Sequence, residues 1–320
     1  YDKDKRNRGK TPAVRIAEAT RHVLTHKSVK IYPRELIVGN FTSKRVAGFC
    51  YPELAGIQVM VEAFGLPKRR VNPLEISLWD RFKLASKVPY WLNKNAAYRA
   101  FDNMKDRFRF AAEQGEALQY QVYEAGGIAH LAPDYEKLIK VGAQGIIDEV
   151  ASMEAQTSDP EKLDFYRSVK IAMSGLAEFG DRYAAEAKAM AVQESDPVRK
   201  QELLDIAAVC SRVPRQGATN FHEAVQSMTL AHIAIFQETF GETTCPGRID
   251  QFLRPYYEKD LAEARIDRAQ AKEILGAFCV KLCETIPMHS DVATSTLGGL
   301  TRWEVVTIGG QDSQGTDATN

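Results

Sequence analysis

Apolar residues recur along most of this chain at steps of three and four, the spacing that gathers them on one side of an α-helix. Thr11-Pro12 reads as a helix start with proline at the first helical position, and Ile16, Ala19, Val23 and Leu24 follow as an apolar stripe. Segments 52–64 and 73–92 read as further helices. The longest run begins at Ser158-Asp159-Pro160-Glu161, a capping-box pattern with proline just inside the start, and is predicted to continue to about Glu194. Phe165, Val169, Met173, Leu176, Phe179 and Tyr183 line one face of that run, which predicts burial along that side. Asp196-Pro197 opens another helix that ends near Cys210. Two more are expected at 221–240 and 268–284, the second capped by Asp267 with Gln270 three residues on. Only 35–38 and 303–308 are β-branched and short enough to read as strands, the latter broken by Gly309-Gly310. Repeats, low-complexity stretches and linkers are missing, so residues 1–320 read as part of one large domain.

Composition narrows the function classes. Apolar content of 44% and charged content of 26% are those of a globular protein. Forty-two basic residues balance 42 acidic ones. Without a net field, neither nucleic acid nor an anionic membrane is an expected partner. The basic stretch Tyr1 to Lys10 reads as a solvated tail. No apolar run reaches the roughly 18 residues of a membrane span, and no signal peptide is recognisable. Five cysteines at irregular spacing suit free thiols in a reducing cytoplasm, the expected location.

Several constellations invite chemistry, and most fail on spacing. His222-Glu223 begins like a zinc-protease helix, but Gln226 stands where the second histidine would be. No metal site is expected. Cys279 and Cys283 lie one turn apart without a second ligand pair and read as buried core thiols. Gly309-Gly310 with Gly315 lacks the lysine-serine pair of a phosphate loop. More informative is Gly126-Gly127-Ile128-Ala129-His130, three residues before the proline of Pro133-Asp134-Tyr135. Free amides at the following helix start would lower the pKa of His130, and a neutral imidazole both donates to and accepts from a hydroxyl. A histidine bonded to its own loop backbone is the other reading. Gly241-Glu242-Thr243-Thr244-Cys245-Pro246-Gly247-Arg248 places small polar groups in a loop after a long apolar helix, suited to a pocket wall or to satisfying helix-end carbonyls. Arg248 and Asp250 read as an ion pair or as backbone anchors, and Trp303 as core.

Taken in order, four segments point to a family: Pro33-Arg34-Glu35-Leu36-Ile37-Val38-Gly39-Asn40, Phe221-His222-Glu223-Ala224-Val225-Gln226-Ser227, Gly247-Arg248-Ile249-Asp250-Gln251-Phe252, and Ile308-Gly309-Gly310 with Asp317-Ala318-Thr319-Asn320. The chain resembles, over its whole length, the glycyl radical enzymes related to pyruvate formate-lyase. That resemblance implies an α/β fold, a ten-stranded barrel in two five-stranded halves wrapped in helices. This chain would be its mostly helical N-terminal portion with the first half-barrel strands. It also implies a lyase in which a glycyl radical, installed by a radical SAM (S-adenosylmethionine-dependent) activating enzyme, passes through a cysteine thiyl to the substrate. The family's cysteine loop and glycine loop have no counterpart here, so the catalytic residues are expected beyond Asn320 and the 320 residues alone should be inactive. No bound cofactor is expected apart from the glycyl radical modification of a longer chain; a homodimer and a small-molecule substrate are. By the same resemblance, His130 corresponds to a histidine that holds substrate hydroxyls in glycerol dehydratases. Thr243, Thr244 and Cys245 fall on the loop lining the substrate pocket, and Trp303 on an aromatic packed against substrate. These correspondences favour a dehydratase. A decarboxylase, a sulfonate lyase, a fumarate-adding synthase and, in another class, a non-catalytic helical scaffold are the alternatives.

Overall fold

The computed structural model describes residues 9–53, 56–99, 101–115, 131–238, 244–296, 304–312 and 314–319. Helices dominate them: α1 (Pro12–His26), α2 (Ile57–Val61), α3 (Leu78–Ala85), α4 (Val88–Trp91), α5 (Ala96–Arg99), α6 (Met104–Gly115), α7 (Tyr135–Glu154), α8 (Pro160–Gln193), α9 (Pro197–Arg212), α10 (Phe221–Glu238), α11 (Ile249–Ala262), α12 (Arg268–Cys283) and α13 (Asp291–Thr296). Two short strands, β1 (Ala47–Phe49) and β2 (Thr285–Pro287), pair in parallel with Ala47 opposite Thr285 and Phe49 opposite Pro287.

The helix starts follow their local chemistry. Asp196 accepts from Val198 N at 3.0 Å, and Asp267 and Gln270 close a capping box. The cap of α8 is Asp159, accepting from Glu161 N at 3.0 Å, one residue later than the pattern beginning at Ser158 predicts. The expected helix over 73–92 is instead two: Pro89 has no N–H for the residue four back, so α3 stops at Ala85 and α4 restarts at Val88. Among the described residues of 52–64, only Ile57–Val61 is helical.

At the centre, α10 is buried from Glu223 to Ala234 without interruption. A helix apolar on all sides needs neighbours on all sides, and α1, α7, α8, α9, α11 and α12 all pack against it. Its polar residues then need internal partners. Gln226 finds them in segment 33–40, with its Nε2 donating to Val38 O and its Oε1 accepting from Val38 N, both at 2.8 Å.

That segment corrects one expectation. Residues 35–38 form no ladder; side chains satisfy the backbone instead. Arg199 donates to Glu35 O at 2.9 Å, His222 Nε2 to Leu36 O at 3.1 Å, and Tyr183 OH accepts from Asn40 N at 2.8 Å. Ile37 and Val38 are β-branched because they are buried, not because they pair.

Two other expectations meet geometry they did not include. Cys279 and Cys283 are exposed: the face of α12 that packs inward carries Ala271, Ile274, Phe278, Lys281 and Leu282, and the next position round the helix points about 100° away. Along α8, Leu176, Phe179 and Tyr183 are buried but Phe165 is 58% exposed. Glu154, the last residue of α7, ion-pairs with Lys170, so Phe165 lies on the stretch of α8 beyond that end.

Candidate active site

The site is built where three distant stretches of chain meet beside α10. Gly142, at φ 72°, breaks α7 and lets Ala143 N reach Pro214 O at 2.8 Å, which fixes the N-terminal part of that helix over the core. Tyr135, its first residue, is 2% exposed. Just upstream, Leu131 pairs in parallel with Thr244, and Cys245 N donates to Leu131 O at 2.9 Å. Gly247 in turn pairs in parallel with Val306, Thr307 N donating to Gly247 O at 3.1 Å. The expected strand at 303–308 is thus a single bridge within 304–308, because Gly247 is at φ 77° and α11 begins two residues later.

Behind these pairings lies a buried polar row. Tyr135 OH is 2.9 Å from His232 Nδ1, and His232 Nε2 is 3.4 Å from Glu304 Oε1. His232 and the Glu304 side chain are 2% and 7% exposed. Phe236 and Phe41 set ring edges against the imidazole, with centroids at 5.1 and 6.4 Å. Burial, and then the charges of Glu304 and Cys245, hold the Tyr135 hydroxyl well above the usual phenol range, so it keeps its proton and can donate. With Tyr135 donating to Nδ1, the ring proton sits on Nε2, facing the Glu304 carboxylate; the other tautomer would aim a lone pair at an anion. The 3.4 Å contact is longer than a hydrogen bond. His232 Nε2 therefore makes no hydrogen bond to Glu304 Oε1, and the other carboxylate oxygen, Oε2, has no hydrogen-bond partner among the described residues; both Nε2 and Oε2 are buried.

Among the residues singled out from sequence, Thr244 is fully buried and Cys245 half-buried, both on the segment paired with Leu131. His130, Thr243 and Trp303 lie outside the described residues. Their chain neighbours Leu131, Thr244 and Glu304 belong to the same assembly. Sequence reasoning missed His232 and Glu304. The available signal was a histidine inside an otherwise apolar helix, and a glutamate beside Trp303 at the head of a β-branched run.

Arg248 and Asp250 are backbone anchors. Arg248 donates to Gly309 O and Gln311 O at 2.7 and 2.5 Å, and Asp250 accepts from Gly309 N at 2.6 Å. Gln251 donates to Ala318 O at 2.8 Å, so the 247–251 segment holds the 309–318 turn in place. His222 serves Leu36, and burial lowers its pKa. Among the described residues no cluster of histidine, cysteine and carboxylate could hold a metal, and no helix is long and apolar enough to cross a membrane.

Comparison with known proteins places this geometry in context. A family model described as pyruvate formate lyase-like matches residues 1–320. The isethionate sulfite-lyase of Oleidesulfovibrio alaskensis is 31% identical over 336 residues, covering 100% of this chain and 40% of that protein. A solved structure concerning 1,2-propanediol dehydration in Roseburia inulinivorans superposes with a TM-score of 0.90 at 29% identity, over 99% of this chain and 40% of that one. A glycyl radical enzyme from Archaeoglobus fulgidus superposes with a TM-score of 0.86 at 32% identity, over 99% and 41%. The chain spans about two fifths of the length of these relatives.

Proposed function

The chain belongs to the pyruvate formate lyase-like family, and from that membership we propose that it is the N-terminal part of a glycyl radical lyase of the dehydratase type, acting on a small neutral polar substrate. In this reading His130 holds a substrate hydroxyl, Thr243, Thr244 and Cys245 line the pocket, and Trp303 packs on the substrate. The thiyl cysteine and radical glycine belong to the rest of the enzyme chain. A radical SAM activating enzyme installs the radical, and the complete enzyme is a homodimer. The 320 residues alone turn over nothing.

The observation that supports the reading is the parallel pairing of Leu131, the residue after His130, with Thr244 of the proposed pocket loop. Glu304 supports a neutral substrate, since a buried carboxylate directly after Trp303 would raise the cost of seating an anion there. A second reading, a sulfonate lyase, is favoured by the match to isethionate sulfite-lyase, which covers all of this chain and 40% of that protein.

The test uses the complete enzyme, activated anaerobically, with 1,2-propanediol, glycerol and isethionate. Turnover of isethionate but of neither diol nor triol would overturn the dehydratase reading. His130→Ala should leave the glycyl radical signal unchanged. Removing a polar partner from a closed pocket costs about 1–3 kcal/mol, roughly a 5- to 150-fold fall in kcat/KM. Unchanged kcat/KM at normal radical yield would mean that His130 only structures its loop.

A further inference from the structure

Three stretches carry the residues assigned to substrate in the proposed function; two of them reach His232 and the third is pinned between those two. Tyr135 follows His130 by five residues and meets Nδ1 at 2.9 Å. Glu304 follows Trp303 directly and meets Nε2 at 3.4 Å. The 244–247 segment is pinned between them, paired to Leu131 on one side and to Val306 on the other. Cys245 and Glu304 are both close enough to act on the Tyr135 hydroxyl.

We infer that His232 and Glu304 form a positioning pair: by tying the start of α7 to the 304–306 segment through the rigid, buried α10, they set the separation of the pocket walls. The inference rests on the proposed function for which residues face the substrate. The hub itself stands on the contacts of His232.

Two features distinguish this role from plain packing. The Nε2–Glu304 contact is ionic in range and long, and such a contact holds position without closing a network. The imidazole is also confined by the Phe41 and Phe236 ring edges, so it cannot swing to follow either partner. A shift of Glu304 must then appear as a shift of the segment it heads. Displacing a substrate-contacting group by about 1 Å can cost on the order of 100-fold in rate.

The experiment compares the complete, activated enzyme with Glu304→Gln, His232→Asn and the double variant, on whichever of the diols or isethionate the wild type turns over. Using that substrate separates this inference from the substrate preference proposed above. Glu304→Gln keeps the shape and removes the charge. His232→Asn keeps an acceptor near Nδ1 for Tyr135 and removes the Nε2 arm. Each single variant should retain the glycyl radical signal and lose roughly 10- to 100-fold in kcat with a smaller change in KM. The double variant should be no worse than the poorer single, because the two residues act as one unit. His232→Gln, which can reach Glu304 but not Tyr135, should recover part of the lost kcat. Wild-type kcat in Glu304→Gln would overturn the inference, and so would losses that add in the double variant. If His232→Asn fails to fold, the shape-conserving Glu304→Gln decides alone.

Discussion

Two buried polar clusters flank α10, and they differ in completeness. Around Lys281, which is 3% exposed, every buried charged group is paired, although the neighbouring Tyr32 hydroxyl is not bonded. Its ammonium donates to Glu35, to Gly39 O at 2.7 Å and to Glu284 at 2.9 Å, exhausting its three protons. The second oxygen of Glu35 accepts from Tyr32 N at 2.8 Å, and that of Glu284 from Arg45 at 3.1 Å. Burial raises the Glu35 carboxyl, opposed by Lys281. Around His232 the accounting stays open, with Nε2 and one Glu304 oxygen unbonded. The closed cluster fastens segment 33–40 to α12, which is architecture. The open one lies behind the pairings of the candidate pocket, where it sets the position of the segments it touches.

If that contrast is right, the closed cluster should be the costlier to break. Lys281→Met would leave Glu35 and Glu284 buried without their cation, a loss of about 3–5 kcal/mol in urea unfolding. A loss below about 1 kcal/mol would erase the distinction.

A second buried histidine sharpens it. His289 has Arg69 beside it where His232 has a carboxylate, and burial, then Arg69, lower its pKa to about 4. The unfolded chain takes up this proton below its ordinary value of 6.5, and the folded chain only near 4. The associated stability is therefore complete above pH 6.5 and lost as pH falls toward 4, by up to about 3 kcal/mol. Unfolding free energies at pH 7 and 4.5 should converge in His289→Asn; an unchanged slope would show that acid sensitivity lies elsewhere.

The smallest effect is expected at the open cluster. Tyr135→Phe removes one neutral hydrogen bond to His232, about 0.5–1.5 kcal/mol by thermal or urea unfolding. A loss as large as that of Lys281→Met would mean that the two clusters do the same work.

What could be read from sequence follows the range of the interaction. Asp196-Pro197 and Asp267 with Gln270 declare helix starts because a cap and its partner amide are two or three residues apart. Segment 33–40 could not be read in this way. Its β-branched residues mimic a strand, and its partners Tyr183, Arg199, His222 and Gln226 lie far along the chain. The thiols of α12 were misjudged by a single step round a helix. At the candidate site, Thr244 and Cys245 were legible as small polar groups in a loop that follows a long apolar helix. His232 was not, because a histidine in an apolar helix declares no role until Tyr135 and Glu304 arrive from either side.

The pairing of β1 with β2 has a consequence in time. Ala47 cannot meet Thr285 until more than two hundred further residues have been made. At ordinary rates of synthesis, about 5–20 residues per second, the first strand waits roughly 10 to 50 s for its neighbour. Meanwhile α1 can meet α8 and α8 can meet α9, whose contacts close earlier in the chain. A helical shell should thus assemble on the ribosome around an unpaired strand edge, the element most exposed to premature association. Vectorial synthesis therefore makes the sheet form later than the helical shell around it, and leaves it dependent on whatever shields it in the interval.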